Sequence, residues 1–158
     1  MGPTTGNPEN TRNDAKAAVA WLDTQKEVDT AKGIGTTGYC MGGPLAFHTA
    51  GAVPGRVGAV ASFHGGGLAT DQPTSPHLTL PKTKAEYLVL IADNDHKQDP
   101  AARDRIRTAL DAAGRPNKVE VYEGAAHGWT VKGSQVYNEA AAEKAWAELL
   151  ALYKRALV

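Results

Sequence analysis

Two patterns of apolar residues alternate along this chain. Some recur at helical spacing, and others run continuously without charge. After a capping Asn10 or Asn13, DAKAAVAWLDTQKEV gathers Ala17, Val19, Ala20, Trp21 and Leu22 into one apolar face and predicts a helix. GIGTTGY, residues 33–39, predicts a short strand, and MGGPLAFHTAGAV a helix ending at Pro54–Gly55. VGAVASFH, residues 57–64, carries small and apolar residues with no charge, the pattern of a strand covered on both faces. EYLVLIAD, residues 86–93, is the clearest strand. AARDRIRTALDAAGRP, residues 101–116, predicts a helix with Ile106, Ala109 and Leu110 inward and Gly114 at its end. KVEVYEG, residues 118–124, alternates as a strand does. A final helix over 136–156 carries Trp146, Leu149, Leu150 and Tyr153 at helical spacing. Trp21 and Trp146 are assigned to the core.

Strands that alternate with helices predict parallel pairing and a layered α/β domain with four strands. Residues 1–12, rich in Gly, Pro, Asn and Thr, are expected to be irregular, and residues 13–158 to form a single domain. Residues 65–84 are expected to be a long loop, of the kind that is usually functional or mobile.

Composition narrows the function. The chain has 158 residues, 42% of them apolar, and Lys plus Arg balance Asp plus Glu at 17 each. A neutral balance with 6% aromatics argues against a nucleic-acid or acidic-membrane partner. The single cysteine excludes an internal disulfide and a site of several thiolates, and a free thiol points to the cytoplasm. No apolar run approaches the ~18 residues of a membrane helix. MGPTTGNPEN lacks the basic start and apolar stretch of a signal peptide.

That cysteine stands in GYCMGG, between a predicted strand and a predicted helix. Gly38-x-Cys40-x-Gly42 is the sequence form of a nucleophile elbow with Cys in place of Ser. The turn lifts the sulfur above the C-terminal edge of the sheet, at a helix N-terminus whose dipole favours thiolate. The backbone N–H of Met41 faces the same space and is a candidate oxyanion donor. The competing reading is a buried, inert cysteine. Two further pieces follow in the order of an α/β-hydrolase triad. The strand YLVLIA ends in Asp93-Asn-Asp95, and VEVYEG leads to His127, followed by Gly128 and Trp129. Cys40 would attack, His127 would carry the proton, and Asp95 would hold the imidazole.

GYCMGG, SFHGGGLATD, IADNDHKQDP and VYEGAAHGW together resemble the dienelactone hydrolase family. The resemblance implies an α/β-hydrolase fold, a parallel-sheet three-layer domain, with a Cys-Asp-His triad that cleaves esters and lactones without metal or organic cofactor. By motif, Cys40 matches the nucleophile, His127 the base, and Asp95, better than Asp93, the acid. Members of that family are longer at the N-terminus. The resemblance therefore implies a domain lacking its first strands and the loop that supplies a second oxyanion donor. Strand 33–39 would then be an edge, and edges recruit partners. Self-association through it is expected. The alternative function is a remnant of the fold serving as a dimerisation or binding module. Thiol redox sensing lacks a resolving cysteine in the chain.

The remaining candidates are weighed by type. His64-Gly65-Gly66-Gly67 resembles a lipase oxyanion loop but follows the nucleophile instead of preceding it, which favours a pocket-wall role. Trp129 and Tyr39 join His64 as candidate pocket residues, with Tyr39 packing against the turn. Asp93, Asp95, His96 and Asp99 cluster in sequence, but acids at a strand end are usually solvated, and no metal site is assigned. His48 is read as a packing residue and His77 as a solvated loop residue.

Overall fold

A computed structural model of the chain describes residues 7–158. The first helix, α1, runs Pro8–Leu22, earlier than expected. Asn7 caps it by accepting a hydrogen bond from the Glu9 N–H at 2.9 Å, and Pro8 supplies a first-turn residue that needs no donor. Residues 8–12 are thus helical and not irregular, and residues 1–6 lie outside the described part. Trp21 is 62% exposed on this helix, so its assignment to the core is corrected; Ala15 and Val19 are the buried apolar side chains here.

The chain continues through β1 (Ile34–Tyr39), α2 (Gly42–Ala52) and β2 (Val57–Phe63). A 3-10 helix, Pro76–Lys82, lies inside the expected long loop. Then come β3 (Glu86–Ala92), α3 (Asp93–Gln98), α4 (Ala102–Ala112), β4 (Asn117–Tyr122) and α5 (Glu139–Ala156). The four strands form one parallel sheet in the order β1-β2-β3-β4, so β1 is an edge among the described residues.

The two central strands explain why their sequences carry no charge in the middle. Tyr87, Val89 and Ile91 of β3 face one core with Phe47, Ile106 and Leu110, while Leu88, Leu90 and Ala92 face the other with Trp129, Leu149 and Leu152. A strand with apolar residues on both faces can sit only between two helical layers. Each Leu or Ile so buried contributes roughly 1.5–3 kcal/mol. Helices α2 and α4 with the 3-10 helix cover one face and α5 the other, giving three layers. All four strands run parallel, so their C-terminal ends share one edge of the sheet.

Helix α5 lies over β1. Gly35 leaves room for the Tyr153 ring, which an added Cβ would meet at 2.5 Å, and the Tyr153 hydroxyl bonds the Thr37 hydroxyl. One turn and two turns back on α5, Leu150 and Trp146 are exposed, Trp146 by 52%, so its core assignment is corrected as well.

Candidate active site

The sheet's C-terminal edge carries the cysteine. Cys40 follows β1 with a left-handed backbone, φ 53°, which a non-glycine residue adopts only when its surroundings impose it. Gly38 makes the turn possible: a Cβ there would lie 1.9 Å from the Gly42 carbonyl oxygen. Gly42, the other glycine of the sequence pattern, has open space around it. The close approach falls instead to Gly43, where a Cβ would lie 2.4 Å from Ser62 Oγ and 2.9 Å from the Gly65 Cα. Met41 opens α2, and its backbone hydrogen-bonds the Cys40 thiol and helps lower its pKa.

The strand ends bring the acid and the base to the same place. Asp95 Oδ2 accepts from His127 Nδ1 at 2.7 Å. Asp93 is turned away and pairs with Lys97 at 2.7 Å. Asn94, which the sequence reading passed over, holds the base from its backbone side: its Oδ1 accepts the His127 N–H at 2.7 Å. The only sequence signal for it was its place between two acids before the third strand-end loop. The neighbouring acid Asp99 pairs with Arg105. Three carboxylates with three different partners do not make a ligand set. Among the described residues no group of three or more His, Cys, Asp or Glu side chains is placed to hold a metal ion.

The electrostatics favour a primed thiol. The Cys40 pKa lies below its ordinary value, first because of hydrogen bonding to His127, which outweighs the opposing effect of burial. Partial burial disfavours the His127 cation, but hydrogen bonds to Asp95 and Cys40 together outweigh it, and its pKa is raised. Both shifts favour the thiolate and imidazolium forms over the neutral pair.

His64 is 3% exposed, so it is not an open pocket wall. It follows β2 with φ 43°, and its Nδ1 accepts the Cys40 backbone N–H at 3.1 Å. Its Nε2 lies 3.3 Å from the Thr130 hydroxyl, and its ring centroid is 4.6 Å from that of His127. Because Nδ1 accepts, Nε2 carries the proton and donates to Thr130. Burial, and next the neighbouring His127, push the His64 pKa down to about 4. The ring is therefore a neutral brace behind the cysteine and the base.

One other pocket assignment is corrected, and another falls in a different groove. Trp129 has no exposed surface and packs with Tyr122 and Leu149 in the core beneath α5, its ring edge against His64. Tyr39 is exposed, but its ring stacks on Phe63 at 4.7 Å and lines a separate groove of about 400 Å³ with Trp146, Val131 and Lys132. The concavity that does include the acid, of about 250 Å³, lies between the loop from Gly65 to Thr70 and the helices α3 and α4. His48 is buried in α2, as its packing role requires, and His77 accepts or donates to Ser75 Oγ at 2.7 Å.

The model of the dienelactone hydrolase family matches residues 3–157. The chain belongs to the dienelactone hydrolase family. Among curated proteins, one of Saccharolobus solfataricus named "Putative carboxymethylenebutenolidase" is 31% identical over 78% of this chain and 45% of its own length. "Protein usf" of Aquifex pyrophilus is 27% identical over 90% of this chain and 59% of its own length. The crystal structure of a Klebsiella pneumoniae protein described as "Putative Dienelactone Hydrolase" superposes with a TM-score of 0.80. It is 21% identical, over 94% of this chain and 62% of that one, a likeness of fold. The chain thus spans only part of the length of the relatives it matches. The fold they share is the α/β-hydrolase fold, and the four-stranded parallel sheet with helices on both faces is the portion of it present here. No described helix is long and apolar enough to cross a membrane.

Proposed function

We propose that this member of the dienelactone hydrolase family is a hydrolase that opens a lactone or cleaves a small carboxylic ester through an acyl-thiol intermediate. One observation carries the reading: Cys40 stands on a strained turn in hydrogen-bonding interaction with His127, whose far nitrogen is held by Asp95 at 2.7 Å. The Cys40 thiolate attacks the carbonyl carbon, and the Met41 N–H faces the oxygen that becomes negative. Collapse of that adduct breaks the bond to the ester oxygen, which leaves with the proton from His127. In a lactone the leaving oxygen stays tethered to the acyl chain. His127 then takes a proton from water, the hydroxide attacks the thioester, and the thiolate departs. The net change is addition of one water across the ester bond. Asp95 fixes the imidazole tautomer with Nδ1–H toward the carboxylate and Nε2 toward the sulfur.

Hydrolysis of p-nitrophenyl acetate by the wild type beside Cys40→Ala and His127→Ala tests this. Turnover that falls to background in both variants supports it; equal slow rates in all three overturn it. We also propose that the chain self-associates through β1, whose outer edge has no strand partner among the described residues.

A further inference from the structure

The cavity of about 250 Å³ beside Asp95 has a composition that restricts what can enter it. It borders the site through Asp95, which holds the His127 imidazole, and through the backbone beside Cys40. Asp95 is in its wall, and so is Gly65, where an added Cβ would lie 3.4 Å from the Cys40 carbonyl oxygen. Its floor is apolar: Leu68, Ala69, Ile91 and Ile106 are all buried. A cavity of ~150 Å³ lined by such residues is large enough for a benzene ring, so this one takes a somewhat larger group. The only cation in its wall is Arg105. That guanidinium is already committed. One terminal nitrogen reaches Asp99 Oδ1 at 3.1 Å, the other pairs with Asp99 Oδ2, and Nε donates to the Ala69 carbonyl at 3.3 Å. The wall therefore holds two carboxylates, Asp95 and Asp99, against one guanidinium whose charge Asp99 balances and three of whose five N–H groups are engaged. A carboxylate brought here would give up hydration and meet a second carboxylate, Asp95, beside a guanidinium whose charge Asp99 already balances.

We propose that this cavity receives the uncharged apolar part of the substrate, an alkyl chain or ring of an ester or lactone, and refuses a free carboxylate there. The word substrate rests on the hydrolase reading above; the selectivity of the cavity does not. Asp99 is the specificity-determining residue, because it neutralises Arg105. Were Arg105 free, the same cavity would be a carboxylate site with an apolar floor, and the preference would reverse.

The test is read without turnover. Isotope-labelled full chain is titrated with hexanamide and, separately, with hexanoate, and backbone amide shifts are followed by NMR. Hexanamide is expected to shift amides within 66–69 and 102–106, and hexanoate to bind there at least tenfold more weakly. Ala102→Trp, which fills the cavity from its α4 wall, is expected to abolish the hexanamide shifts while the rest of the spectrum reports an intact fold. Asp99→Asn leaves Arg105 unpaired and is expected to tighten hexanoate about tenfold, near 1.4 kcal/mol. Hexanoate binding as well as hexanamide in the wild type overturns the proposal. So do shifts confined to the Tyr39–Trp146 groove, or no shifts with either probe. A kinetic arm compares p-nitrophenyl butyrate with mono-p-nitrophenyl succinate in wild type and Cys40→Ala. Absence of Cys40-dependent turnover with both esters sinks the hydrolase reading and leaves the NMR result standing for the cavity. Cys40-dependent turnover that favours the succinate sinks the cavity proposal and leaves the hydrolase reading intact.

Discussion

The backbone N–H of Cys40 points at Nδ1 of His64, 3.1 Å away, and these two residues are the non-glycine positions with left-handed backbone among the described residues. They end adjacent parallel strands, β1 and β2, so one strained turn is braced by the next. The same N–H also donates to the Phe63 carbonyl at 3.0 Å, so the brace is shared. The interaction requires a neutral His64, and burial supplies one by holding its pKa at about 4.

A pH dependence of stability follows. The folded pKa of His64 is below the ordinary value of ~6.5, so between these limits the unfolded chain binds the proton that the native chain refuses. Stability is therefore expected to rise from pH 4 to 6.5, with His64 contributing on the order of 3 kcal/mol that is lost as pH falls through the folded pKa. Urea denaturation at a series of pH values should give a shallower rise over that window in His64→Gln. An unchanged slope would mean that His64 is protonated in the native state at mildly acidic pH.

The thiol should titrate early. Hydrogen bonding to His127 holds the Cys40 pKa down. The pH midpoint of alkylation by iodoacetamide is expected below the free value of ~8.5 in the wild type and higher in His127→Ala. Asp95→Asn should fall between them, since Asp95 acts through the imidazole it orients. Coincident midpoints for all three proteins would contradict the coupling.

The three glycines around the elbow should differ sharply. Gly38→Ala sets a Cβ against backbone at 1.9 Å, and Gly43→Ala sets one 2.9 Å from the Gly65 Cα. Each is expected to destabilise by about 2 kcal/mol or more. Gly42→Ala meets nothing within 4 Å in the first turn of α2 and should be neutral or stabilising by up to ~1 kcal/mol. Thermal and urea unfolding of the three single variants measures this directly. A destabilised Gly42→Ala would restore to that glycine the role that its spacing from Cys40 implies.

The contrast between Gly42 and Gly43 marks where the sequence was legible. The strands 57–63 and 86–92 could be read because burial on both faces leaves short runs of small, β-branched and apolar residues with no charge in the middle. The chain order of Cys40, Asp95 and His127 could be read because each follows a strand. What escaped depends on neighbours distant in sequence. Gly43 is needed because Ser62 and Gly65 of the next strand end lie over it. His64 reaches Cys40 only because β2 pairs with β1, though the His-Gly-Gly-Gly run after a strand was its one local trace. Trp129 looks like a pocket residue from its place beside His127 and turns out to fill the core under α5. Helix α3 is made entirely of polar residues and gives no apolar stripe to read. The start of α1 was hidden because Asn7-Pro8 in a Gly- and Pro-rich stretch resembles a break, whereas Asn at the cap and Pro in the first turn begin a helix.

The edge of the sheet yields the last prediction. Thr37 on β1 bonds Tyr153 of α5, and on that helix Trp146 and Leu150 continue the stripe outward and stay exposed. Tyr39, also exposed, borders the groove that Trp146 lines. An unpaired strand edge flanked by exposed aromatic and aliphatic side chains offers both ladder hydrogen bonds and apolar area to a second copy of the chain. Sedimentation velocity at micromolar concentration is expected to give a dimer that Trp146→Glu converts to monomer. Trp146 lies outside the cysteine–histidine–aspartate constellation, so the alkylation profile of Cys40 should stay the same in that variant. A wild-type chain that sediments as a monomer across the concentration series would leave the β1 edge without a role in self-association.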